Sequence, residues 1–309
     1  MHLRLIVPAD RTSTVVDALQ QDPRVTNVVL IAGAAVRPDG DLVLCDVARE
    51  AVTDVLGRLR RAGLYEDGGV TLSMIEAAPS ANARVTEQAA PGSPDDAVVW
   101  DAVLDQAEGQ VAGSWSYYAF LTIAVLLAAI AVITDSAILV VGAMVVGPEF
   151  GVVAALAVGI ALRRIRLSRQ ALALLVKGFL FAIGVTAGCA LVARAVGWVD
   201  PSSVAAARPL TGFIWRPDRW SIIIAVIAGC AGVLSQTAGR SNALVGVFIS
   251  VTTVPAAGDL ALSLAVWDTE QIRGSLAQLL LNLTGMTIAG VATLLVQRRL
   301  WHLFAPTGA

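Results

Sequence analysis

The sequence predicts an α-helical polytopic membrane domain of six spans, preceded by a small α+β ferredoxin-like soluble domain. Three observations predict it. Hydrophobic residues make up 56% of the chain and charged ones 15%, and the acids crowd into residues 1–112 while residues 117–297 are apolar with short interruptions. That is the composition of a membrane protein with a soluble front domain. The N-terminal stretch alternates between period-two and helical patterns in the order β-α-β-β-α-β, a split βαβ arrangement. Finally, two apolar runs are interrupted midway, at Gly147-Pro148-Glu149-Phe150-Gly151 and at Val254-Pro255-Ala256-Ala257-Gly258-Asp259.

His2 to Val7 alternates and stops at Pro8, which suits a strand. It is too short and strand-like for a secretory h-region, so no cleaved signal is expected. Arg11 to Gln21 carries Val15, Val16 and Leu19 at helical spacing behind Asp10. Val25 to Val36 is β-branched, Arg37-Pro38-Asp39-Gly40 is a turn, and Asp41 to Val47 returns as its partner. Glu50 to Ala62 repeats a helical pattern on Val52, Val55, Leu56 and Leu59 with Gly63 as its stop, and Val70 to Ile75 is the fourth strand. This domain is expected over residues 1–78, with oligomerisation or regulation as its expected role. A linker of Ala, Pro, Ser and Gly is expected over 79–96, an acidic amphipathic helix over 97–112, and the membrane domain over 113–309.

The first span is expected at Tyr117–Thr134, behind an aromatic belt of Trp115, Tyr117 and Tyr118. Asp135 and Ser136 occupy the tight connection that follows, where a helix N-cap is the expected role. The second span contains the Pro148 break and ends at Arg163 and Arg164. Proline removes a donor and clashes with the preceding turn, and a break at membrane depth survives only against protein or a water-filled cavity. The third to sixth spans are expected at Ala171–Ala195, Ser221–Gly239, Asn242–Trp267 and Ser275–Gln297. Superposing Pro148 on Pro255 also superposes Gly151 on Gly258. With three spans per half, the halves then form a 3+3 inverted repeat with broken helices two and five, a plan shared by many secondary transporters. Arg163, Arg164, Arg166 and Arg169 in one short turn place that turn, and with it both termini, on the cytoplasmic side of the cell (inner) membrane.

The run Ser136 to Gly151, with its Gly-Ala-Met-Val-Val-Gly-Pro core, resembles the uncharacterised hydrophobic-domain membrane family called domain of unknown function family 389. The likeness extends through the five first spans to the Asn282 region. It implies a polytopic membrane protein, often with a soluble N-terminal domain, and no settled activity. Glu149 departs from the small or apolar residue usual after the family's proline.

Candidate solute-binding residues are those at the two breaks and in mid-span six: Gly147, Pro148, Glu149, Gly151, Ser250, Thr252, Thr253, Pro255, Asn282 and Thr284. An intramembrane carboxylate points to function by default, so Glu149 is expected to carry a proton or hold a cation, or else to pair with Lys177. Asn282 must face protein or a site, because an amide in lipid is costly. These groups are mostly neutral hydrogen-bonders, which suits a small neutral polar metabolite of nucleoside or sugar size. The alternative is a membrane-anchored sensor or scaffold whose N-terminal domain binds the ligand. No nucleophile–base pair or phosphate loop argues for an enzyme, Cys45, Cys189 and Cys230 are scattered and read as small buried hydrophobes, and no metal or other cofactor is expected. The net charge of −2 argues against a nucleic-acid partner. Gly184-Val185-Thr186-Ala187-Gly188 offers a small-xxx-small face, so a homo-oligomer, a dimer by default, is expected in the lipid bilayer.

Overall fold

A computed structural model describes the chain apart from residues 76, 91, 93–96, 200–203, 205–206, 239–251 and 305–309. It divides into two compact units, the first containing Met1–Ala102 and the second Val103–Arg298.

In the first unit, β1 (His2–Val7), α1 (Thr12–Gln20), β2 (Val25–Val36), β3 (Asp39–Val47), α2 (Val52–Arg61) and β4 (Gly69–Ser73) follow one another as the sequence pattern predicts. The four-stranded sheet has the order β2-β3-β1-β4, and every pair is antiparallel. Leu3, Leu5 and Val7 alternate inward and are completely buried, as are Val43 and Cys45 of β3. Against this face pack Val15 and Leu19 of α1 and the 3–4-spaced set Val52, Val55, Leu56 and Leu59 of α2. Burial pushes the Cys45 thiol up to about 12, so it behaves as a small hydrophobe. Gly63, with φ +76°, follows α2 in the left-handed conformation that commonly terminates helices. Burial works against the charge of Asp22, but hydrogen bonds from Arg24 and Arg58 outweigh it and hold the carboxyl well below the usual carboxylate range.

Two short helices were not expected. α3 (Leu64–Asp67) precedes β4, and α4 (Ala81–Gln88) lies within the stretch read as linker. Ser80 caps α4, its Oγ accepting from the Ala83 N–H at 3.1 Å. The acidic helix is α5 (Trp100–Gln110), with Val103 and Ala107 buried.

Among the described residues of the second unit, four helices are long and apolar enough to cross a membrane: α6 (Trp115–Ile133), α9 (Ile165–Ala195), α10 (Arg219–Ala238) and α12 (Thr269–Phe304). A fifth crossing is added if α7 (Ala137–Val146) and α8 (Glu149–Ala161), bent by 53° at their junction, count as one broken span. The chain is thus a multi-pass membrane protein by the length and composition of its helices. Its outward faces fit that solvent: Leu180, Val192, Ile227 and Ile288 are all more than 60% exposed. Cys189 is also exposed, because it shares an outward face of α9 with Val185 and Val192.

The expected fifth span is described only as α11 (Thr253–Val266). Its first half, with Ser250, lies outside the described residues. The break expected at residues 254–259 is not there: the helix runs unbroken through Pro255, Gly258 and Asp259. Pro255 is the third residue of α11, in the first turn where a proline costs no hydrogen bond. The described helix begins instead behind Thr252, which has φ −79° and ψ 33°.

Candidate functional site

The first break forms because Pro148 has no N–H to continue α7. Gly147 ends α7 in extended backbone (φ −66°, ψ 127°), Pro148 caps α8, and Glu149 is the first residue of α8. Gly147 is required there by close approach. A Cβ on it would collide with the Glu149 carboxylate and stand 2.8 Å from Cγ2 of Val254. The break therefore lies directly against the start of α11. Gly151 is likewise crowded, a Cβ there meeting the Gln110 side chain at 2.5 Å.

Glu149 is buried, and its Oε2 has no hydrogen-bond partner among the described residues. Lys177 is exposed, and none of the ion pairs among the described residues joins it to Glu149. The hydroxyls of Tyr117 and Thr253 are buried and unpartnered too.

A polar seam runs between α11 and α12. Thr252 Oγ1 accepts from Nδ2 of Asn282 and from Nε2 of Gln278, each at 3.0 Å. Towards the other end, Ser275 Oγ donates to Asp259 Oδ2 at 2.5 Å. Arg208 donates from Nη1 to Asp259 Oδ1 and from Nη2 to Gln271 Oε1, each at 2.6 Å. Arg208 and Asp259 side chains are 4% and 0% exposed, so this is a fully buried ion pair. Arg208 belongs to the connection between α9 and α10, which Asp135 also holds. The Asp135 carboxylate accepts from Leu210 N–H at 3.2 Å and from the Thr211 hydroxyl at 2.8 Å. The expected cap role falls to Ser136 alone, whose Oγ accepts from Leu139 N–H. Asp135 anchors the connection instead.

Thr252, Gln278 and Asn282 line a cavity of about 220 Å³, together with Phe213, Arg216 and Trp220. Of the predicted residues, the structure thus brings Thr252 and Asn282 together on one cavity. It gathers Gly147, Pro148, Glu149 and the start of α11, with Thr253 and Pro255, around the first break. Thr284 joins neither: it is exposed and donates to Leu280 O of its own helix at 2.6 Å, as mid-helix threonines commonly do.

Gln278, Gln271, Ser275 and Arg208 are missed by reading residues singly. On α12 the polar positions Gln271, Ser275, Gln278 and Asn282 are spaced four, three and four apart, one face of a helix, and all four are buried. That stripe within an apolar run was the available signal. Arg208 had none, since it lies in a polar connection far from α11 in sequence.

Residues 144–288 match the family model described as "Domain of unknown function (DUF389)", which establishes for that stretch the family resemblance read from the Ser136 to Gly151 run. An uncharacterized protein of Methanocaldococcus jannaschii is 26% identical over 157 residues, 51% of this chain and 46% of that protein. The chain therefore matches about half the length of this curated relative. No solved structure matches the chain.

Proposed function

We propose that this chain, whose residues 144–288 carry a domain of the DUF389 family, is a membrane transporter or solute-binding protein for a small neutral polar metabolite. One observation carries the reading: two amides, Gln278 and Asn282, are buried in an apolar helical body and line a common cavity with the half-buried hydroxyl of Thr252. Neutral donors and acceptors kept in such surroundings are costly unless matched, and Gln278 Oε1 has no partner among the described residues. A cavity of about 220 Å³ lies below the roughly 300–1,000 Å³ usual for drug-sized ligands, which favours a sugar-sized solute. The cavity is also lined by Arg216, Asp218 and Trp220 at the start of α10, so a solute would reach the buried amides from the polar end of that helix. The adjacent starts of α8 and α11, each beside a proline, support an inverted repeat of six spans. The sheet order of the first unit supports a ferredoxin-like domain.

Thermal-shift screening of the detergent-purified chain against neutral sugars, nucleosides and amides tests this. At least one class should stabilise the parent, and Asn282→Leu should weaken that binding by about 1–3 kcal/mol, the usual cost of an unmatched buried polar group. If nothing in these classes stabilises the parent, the reading fails.

A second reading has its own observation. The first unit contains a groove of about 320 Å³ lined by Asp46, Arg49, Met74, Ala83, Thr86 and Glu87, a place for a ligand if the N-terminal domain is the sensor. Stabilisation that survives Asn282→Leu but is lost on Ala83→Trp would establish it.

A further inference from the structure

We propose that the first helix break binds a monovalent metal cation, of the size and hardness of sodium, at a site separate from the amide-lined cavity. The central observation is Glu149. Its carboxylate is buried among apolar helices, its Oε2 has no partner among the described residues, and the chain's single lysine, Lys177, is exposed. A charged carboxylate with one oxygen unmatched in such surroundings is costly to keep without compensation.

Three further features point to a cation as the compensation. Among the described residues, the unpartnered buried hydroxyls on the helices packed around α7 and α8 are those of Tyr117 on α6, Thr186 on α9 and Thr253 at the start of α11. Tyr117 belongs to α6, which packs against both α7 and α11, and Thr253 precedes the Val254 that lies against Gly147. All the available ligands are therefore oxygens, which hard cations select. The break also strands backbone oxygen: Pro148 cannot donate to the carbonyl four residues before it, so the C-terminal turn of α7 presents its negative end at the same point. Unwound carbonyls and half-helix C-termini hold sodium in many transporters built on broken helices. Lastly, no group of three or more His, Cys, Asp or Glu residues that could hold a metal occurs among the described residues, so the single carboxylate suits a monovalent ion rather than a divalent or transition metal.

The site stands on different residues from the solute cavity, so either can fail alone. The test is thermal unfolding of the full chain in detergent, in sodium chloride against choline chloride at equal ionic strength. The expected result is a sodium-specific, saturable rise in Tm for the parent, absent in Glu149→Gln and shifted to higher sodium concentration in Thr253→Ala. Asn282→Leu should keep the rise. A parent with equal Tm in both salts overturns the proposal, and so does a sodium response that Glu149→Gln and Thr253→Ala both retain. Should Glu149→Gln fail to fold, the Thr253→Ala titration decides alone: an unchanged sodium midpoint overturns the site.

Discussion

At the scale of single residues, the membrane unit is most exposed to change at the Arg208–Asp259 pair. Neither charge reaches solvent, so removing one strands the other. Arg208→Ala should destabilise the protein by about 3–5 kcal/mol, the usual cost of breaking a buried pair. The double variant Arg208→Leu with Asp259→Leu should recover most of that loss, because a hydrophobic pair of similar volume leaves no charge behind. Unfolding in detergent measures both, and a double variant no better than the single one would show that Gln271 and Ser275 need the pair. In the first unit the sensitive residue is Glu50. Both its carboxylate oxygens are buried without a partner among the described residues, and burial, with Glu87 adding repulsion, raises its pKa. A carboxyl whose folded pKa is raised contributes stability below its unfolded pKa and loses it as pH rises through the folded one. Glu50→Gln should therefore leave the unit unchanged near pH 4 and stabilise it near pH 8. Hydrogen exchange of the β1 and β3 amides, variant against parent at each pH, reads this in the full chain.

At the scale of elements, the α7–α8 junction and the α11–α12 hairpin follow from opposite uses of proline. Pro148 interrupts an apolar run and bends it by 53°, while Pro255 sits in a first turn and bends nothing. Both elements depend on close approach: a Cβ on Gly258 would stand 2.8 Å from the backbone nitrogen of Ala129, so α11 packs against α6 at backbone distance. The short turn between α8 and α9 and the first turn of α9 carry the exposed Arg163, Arg164 and Arg166 and predict orientation. A cysteine at the exposed Ile165, in a Cys189→Ser background, should resist an impermeant thiol reagent in intact cells and react after permeabilisation. Reaction in intact cells would invert the topology.

At the scale of the whole molecule, the face of α9 bearing Gly184 and Gly188 bears on assembly. Nothing lies within 4 Å of a Cβ placed on either glycine, so these glycines do not serve packing within the described protomer. Small residues on an open lipid-facing surface permit close approach of a second helix, and a homo-oligomer through α9 is the proposal that follows. Gly184→Leu should reduce the assembly size on a sizing column in detergent without lowering Tm. An unchanged assembly would place the contact elsewhere, with the exposed β2 edge, Val29, Leu30 and Ile31, as the next surface to vary.

Local pattern determined most of the architecture by itself. Period-two runs set β1 to β4, 3–4 spacing set α1 and α2, and apolar length set α6, α9, α10 and α12, because each depends on near neighbours in the chain and on one bulk solvent, water or lipid. The break at Pro148 was legible for the same reason: a missing N–H is a local fact. Whether a polar residue served a site was not local. Asn282 and Thr284 are two residues apart and looked alike, yet one meets Thr252 across the α11–α12 interface and the other bonds to its own helix. Only packing separates them, since two positions on a helix differ by about 200° in facing. Asp135 and Arg208 make the same point across longer gaps. Their partners, Thr211 and Asp259, are 76 and 51 residues away, and nothing in the intervening sequence encodes which charge the folded body will bring to which.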